Sequence, residues 1–160
     1  MNAGKRYEQK LKESFRQAGY FHYRIVDNVY RVHNKVQSIQ TLADMIVMGT
    51  KIGGYGSSLH GYLIEAKAES TKSLSFSRLS EHQYQALKDF DSIHENMHGM
   101  VAINFYDQIN IRRKDRCFFV PINVWDLYKD GDRASISEEQ CQDDSYIIEC
   151  EKVGTCYKII

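Results

Sequence analysis

Residues 61–70, GYLIEAKAES, constrain the fold more than any other stretch of the chain. The first half is apolar and rich in strand formers, so it belongs in the interior of a sheet. The second half brings in an acid and a base, Glu65 and Lys67. In a strand, residues i and i+2 face the same way, so these two side chains project together from a segment that asks to be buried.

Around this strand the hydrophobic period changes several times. Residues 4–18 place Tyr7, Leu11, Phe15 and Ala18 at helical spacing, with charged residues between them and Gly19 as a stop. YFHYRIV at 20–26 and LADMIVMG at 42–49 read as strands, with a hairpin or projecting arm over the polar residues 27–40. A glycine-rich turn, residues 49–61, makes a long-looped hairpin of the second strand and the opening stretch. Ser80 is the expected N-cap of a helix running to about Met97, ended by Gly99. Two more strands, GMVAINFY and RCFFVPI, flank the charged turn RRKDR. A short helix over 122–129 and a terminal hairpin follow. This order predicts one α/β domain over residues 1–160, a central mixed β-sheet flanked by helices.

Composition narrows the classes. The chain has 160 residues, 42% hydrophobic, with a single proline, which suits a globular domain and argues against disorder. No apolar run approaches a membrane span, and MNAGKRYEQK lacks the apolar region of a signal peptide, so a cytoplasmic protein is expected. Cys117, Cys141, Cys150 and Cys156 form no C-x-x-C pair and are read as free thiols. With 21 basic and 21 acidic side chains, formal net charge is zero. Nucleic-acid binding would therefore depend on how charges are distributed.

Asp44 lies early in the strand before Glu65, and a hairpin of this length brings the two carboxylates opposite each other. Such a pair repels unless a cation lies between, as in a magnesium site. An E-x-K triplet alone is weakly specific, and a salt bridge beside a bystander aspartate is the plain alternative. A second motif, HENMH at residues 94–98, matches H-E-x-x-H. On a helix, His94 and His98 would share a face to hold zinc, with Glu95 as base. Its place at the end of the expected helix, with no histidine downstream, argues for a chance match. The glycines of residues 49–61 do not fit a phosphate-loop pattern.

Asp44 followed by Glu65-Ala66-Lys67 on the next strand resembles the core of the PD-(D/E)XK nucleases. The blocks NAGKRYE, EAKAESTKSLSF, EHQYQAL, HGMVAINF and CFFVPINVW, in that order over most of residues 2–128, are similar to Holliday-junction resolvases of the RecU type. Those enzymes occur in Gram-positive bacteria and their phages, and the compactness of this chain favours a phage origin. The resemblance implies a restriction-endonuclease-like fold and an Mg²⁺-dependent endonuclease, with Mn²⁺ as a substitute. It implies paired nicks in a four-way DNA junction, made by a homodimer. Asp44, Glu65 and Glu8 would be metal ligands, Lys67 the catalytic lysine and Gln83 a polar residue beside it. Lys5, Arg6, Lys51, Lys72, Arg78 and Arg113, the last within a basic turn with Arg112, Lys114 and Arg116, are candidate phosphate contacts.

Two departures weaken the junction preference. The segment 27–43 is shorter than the family's stalk, and Ala43 stands where a threonine often precedes the aspartate. The alternatives are a general, repair or restriction-type nuclease of the same fold, a non-catalytic DNA-binding module, and the zinc hydrolase.

Overall fold

The structure is a computed structural model and describes residues 2–26, 41–107 and 115–159, together with the backbone of two strands at 28–32 and 35–39. Helix α1 (Ala3–Gln17) is capped by Asn2, whose side chain accepts from the Lys5 amide. Strand β1 (Phe21–Arg24) follows, then a hairpin of β2 (Asn28–Val32) and β3 (Lys35–Ile39). Next come β4 (Met45–Gly49), β5 (His60–Glu69), β6 (Ser73–Ser75) and helix α2 (Glu81–Asp91). Strands β7 (Met97–Tyr106) and β8 (Asp115–Pro121), then α3 (Ile122–Asp130), β9 (Ser135–Ser137) and α4 (Glu138–Asp143), lead to the end. The last elements are β10 (Ile148–Cys150), β11 (Lys152–Val153) and β12 (Cys156–Tyr157).

Six strands form the central mixed sheet, in the order β1-β4-β5-β7-β8-β10. Among the described residues, only the β5–β7 pairing is parallel, with Glu65 opposite Val101 and Lys67 opposite Ile103. A parallel neighbour requires a crossover, and α2 supplies it. One face of the sheet packs Tyr62, Ile64 and Ala102 against Tyr7, Leu11 and Phe15 of α1. The other packs Leu63, Val101 and Ile103 with Leu87 of α2 and Trp125 of α3. The alternation along β5 therefore turns Tyr62 and Ile64 to α1 and turns Leu63, Glu65 and Lys67 to α2. The expected sheet flanked by helices is present, as is the hairpin between the first strand and Asp44.

Two expectations at the centre are corrected. Helix α2 does not run to Met97; it ends at Asp91, capped at its start by a Ser80–Gln83 box. The strand pairing with β5 claims Met97 and His98, because Gly61 and Tyr62 stand opposite them. Gly99 is no helix stop. It lies in β7 where α2 crosses, and a Cβ there would come within 2.1 Å of the Leu87 carbonyl oxygen. The expected terminal hairpin is also different: residues 148–150 join the main sheet beside β8, and only the short β11–β12 ribbon remains a hairpin. Helix α4 and the β6–β9 pair were not anticipated. All four cysteines are free and buried. Among the described residues, no helix is long and apolar enough to cross a membrane.

Close approach of α2 to β7 generates a stability prediction. Gly99→Ala forces helix and strand apart and should cost about 3 kcal/mol, the upper range for overpacking. Gly4→Ala in α1, where a Cβ meets nothing nearer than 3.7 Å, should be neutral or stabilising. Urea unfolding of both variants checks this; equal midpoints for the two would refute the packing argument.

Candidate active site

The register of β4 and β5 places Asp44 beside Glu65. Met45 pairs with Ile64, and the Asp44 amide donates to the Ile64 carbonyl at 3.1 Å, so the next step along the ladder sets the carboxylates opposite each other. Asp44 Oδ2 accepts from the Ala66 amide at 2.7 Å, which fixes the aspartate against β5.

Glu65 is buried, with 3% of its surface exposed. Its Oε1 accepts from Lys67 Nζ at 2.7 Å and from Gln83 Nε2 at 2.8 Å. Gln83 Oε1 in turn accepts from Lys67 Nζ at 3.4 Å and from the Ser80 amide at 3.3 Å. The capping box of α2 thus also orients the glutamine toward the acid. Glu65 Oε2, by contrast, is buried with no hydrogen-bond partner. A buried carboxylate oxygen left bare costs about 1–3 kcal/mol or more, so this atom needs an explanation. Burial, reinforced by the Asp44 charge, pushes the Glu65 carboxyl up to about 7, against the opposing pull of Lys67 and Gln83.

Glu8 reaches the same neighbourhood from α1, on the other layer. Burial and then the Asp44 charge raise its pKa, while Arg24 and Lys5 hold it down. Its carboxylate pairs with Arg24 of β1 at 2.8 Å. Among the described residues, no three His, Cys, Asp or Glu side chains gather tightly enough to enclose a metal ion. The pair Asp44 and Glu65 nevertheless fits a hard divalent cation. Magnesium is commonly held by one or two carboxylates and retains several waters. A cation there would satisfy Glu65 Oε2 and relieve the repulsion between the acids. Glu8 is drawn toward Arg24 and does not close a three-acid cluster with them.

The other anticipated residues are dispersed. Lys5 stands beside Glu8, while Arg6 lines a small cleft with Tyr7, Lys10, Asn104 and Asp115. Lys51 lies in the loop after β4, in a cavity also lined by Tyr62 and His98. Lys72 is exposed between β5 and β6, and Arg78 pairs with Glu69 at 3.0 Å. Arg112, Arg113 and Lys114 lie outside the described residues. Arg116 pairs with Glu149 at 2.6 Å.

HENMH is not helical. His94 and Glu95 occupy the turn after α2, and the Asn96 amide donates to His94 Nδ1. His98 is the second residue of β7, where its Nε2 is hydrogen-bonded to His60 Nδ1 at 2.8 Å. The shared helical face that a zincin needs does not exist here. Arg24, His22 and Lys12 were not anticipated, although Lys5, Glu8 and Lys12 recur at spacings of three and four, and His22 and Arg24 at two.

Comparison with models of known protein families finds no match, and comparison with curated proteins finds none.

The raised carboxyl has a testable linkage. In the folded chain Glu65 holds its proton up to about pH 7, whereas unfolded it releases it near 4.5. Between these values the folded state binds more protons, so stability falls as pH rises, by up to roughly 3 kcal/mol in total. His60 and His98, both lowered chiefly by burial, act in the opposite direction nearby. The difference between wild type and Glu65→Gln isolates the effect. In metal-free protein that difference should shift in the variant's favour as pH rises through the window, and Mg²⁺ should then stabilise wild type more than the variant. Parallel stability–pH curves would refute it.

Proposed function

We propose that this chain is a divalent-metal-dependent DNA endonuclease with a restriction-endonuclease-like fold and a PD-(D/E)XK site, acting on four-way junctions. The observation that carries the reading is the bare, buried Oε2 of Glu65 beside Asp44, with Lys67 and Gln83 committed to the other oxygen. An ordinary buried salt bridge would satisfy both oxygens or be replaced by apolar packing. Neighbouring strand segments that keep two acids and a lysine together on one face of a core sheet are arranged for charge chemistry.

Asp44, Glu65 and, from α1, Glu8 would hold the metal. When bound, Mg²⁺, or Mn²⁺ in its place, supplies Lewis acidity and positive charge at a phosphodiester. The protein's own contribution is positional. The Ala66 amide fixes Asp44, and Gln83 fixes both Glu65 and Lys67, so none of the three must reorganise when charge develops. The Lys67 ammonium is half-buried and aimed along the acid face, where it can offset charge on a phosphoryl oxygen or orient the attacking water. Junction resolution needs two nicks related by symmetry, so the proposal includes a homodimer.

Asp44→Asn and Glu65→Gln should each lower Mg²⁺-dependent nicking of a synthetic four-way junction by at least 100-fold while leaving junction binding largely intact. Gel-shift comparison of the junction with a linear duplex of matching arms reports the specificity. Full nicking by either variant overturns the nuclease reading. Nicking with equal affinity for both DNAs would leave a general or repair nuclease in its place.

A further inference from the structure

We propose that the cavity between α1 and β1 is a phosphate subsite, which seats a backbone phosphate of the strand whose neighbouring phosphodiester meets Asp44 and Glu65. The last part rests on the nuclease reading; the anion site itself does not.

The cavity has a volume of about 170 Å³ and is lined by Lys5, Glu8, Gln9, Lys12, His22, Arg24 and Met45. Lys5, Glu8 and Lys12 share one face of α1, since spacings of three and four return to the same side of a helix. His22 and Arg24 alternate onto one face of β1, the edge strand of the sheet. Three cations and an imidazole thus surround one carboxylate, an excess of positive charge in a chain whose formal total is zero. Among the described residues, the ion pairs of α1 belong to Glu8, Lys10, Glu13 and Arg16. Lys12 forms none among the described residues. Glu13, the other acid near His22, is engaged by Arg16 and Gln17.

A second observation points to a ligand. His22 Nδ1 is buried and has no hydrogen-bond partner. A buried ring nitrogen without a partner is costly; it has no surface open to the cavity as the ring stands, so a phosphate oxygen would accept its N–H once the ring turns toward the cavity. Arg24 offers the planar fork that suits phosphate, and it is held in place by Glu8 at 2.8 Å. Met45, which follows Asp44, lines the cavity, and the amide of Ile25, which follows Arg24, donates to the Asp44 carbonyl at 2.9 Å, so the cavity adjoins the strand segment that carries the acid pair. A phosphate drawn to Arg24 would loosen its hold on Glu8 and leave that carboxylate to the acid cluster.

Inorganic phosphate is the first probe, with the imidazole resonances of His22 in the full-length ¹⁵N-labelled protein as readout. Phosphate should shift them saturably, and chloride at the same ionic strength should not. Lys12→Gln and Arg24→Gln should each weaken the response by about tenfold, the usual worth of one charge-assisted hydrogen bond. The second probe is duplex DNA without metal: Lys12→Gln should reduce the slope of log affinity against log salt by about one. No shift with phosphate, or the same shift with chloride, overturns the site. A phosphate response with an unchanged DNA salt slope overturns its assignment to a nucleic-acid strand. If phosphate binds and Lys12→Gln lowers the slope in a protein that cleaves no DNA, the subsite stands and the nuclease reading fails. If DNA is nicked without either effect, the nuclease reading stands and this one fails.

Discussion

Glu65 brings a carboxylate into the middle of a sheet whose two faces are otherwise filled with Ile64, Leu63, Val101 and Ala102. A charge in that setting persists only if its neighbours are arranged for it, and much of the local architecture follows from that need. The antiparallel ladder with β4 sets Asp44 opposite, the parallel ladder with β7 closes the other side, and α2 crosses over the acid face to deliver Gln83. The closeness of that crossing rests on Gly99, since any side chain there would strike the Leu87 carbonyl. One oxygen of Glu65 is answered by this framework and the other is not. Burial and the Asp44 charge raise the pKa of the acid, against the pull of Lys67 and Gln83.

Where a residue's surroundings are set by its own strand or helix, the sequence was readable. Tyr7, Leu11 and Phe15 at helical spacing predicted α1, and all three are buried against the sheet. Alternation in residues 61–70 put Glu65 and Lys67 on one face, and the hairpin put Asp44 across from Glu65. Gln83 illustrates a double duty: its signal in sequence was a helix start, and the same capping box aims its amide at Glu65. Readability failed where a distant partner decided the outcome. Residues 92–98 have no strong helix breaker among them, yet pairing with β5 pulls Met97 and His98 into a strand and leaves His94 and Glu95 in a turn. The H-E-x-x-H spacing was real; the helix it needs was not, because parallel register outweighed local propensity.

Arg24 and His22 escaped notice for a related reason. Neither carries a local pattern beyond strand alternation, and their meaning comes from α1 packing across β1, a contact no spacing rule reveals. The same packing explains why Glu8 is separated from the other acids. Its own layer offers Arg24, a strong partner at short range, whereas Asp44 across the sheet edge repels it. Among the described residues, the three acids influence one another electrostatically without forming a closed cage.

A formal charge of zero would suggest indifference to nucleic acid, but the average conceals a separation of signs over a short distance. On the α2 side of β5, Asp44 and Glu65 face a single lysine; on the α1 side, Lys5, Lys12, Arg24 and His22 face a single glutamate. A polyanion brought to the acid pair alone would be repelled. On the proposed reading, the basic cavity offsets that repulsion by holding one phosphate of the strand beside the acids. The acid pair then needs positive charge only locally, which in the proposed reading a divalent ion would provide. Glu8 links the two regions because it belongs to both, paired with the arginine of the basic cavity and coupled to the aspartate of the acid pair. A change of charge in either region is therefore felt in the other through that one side chain.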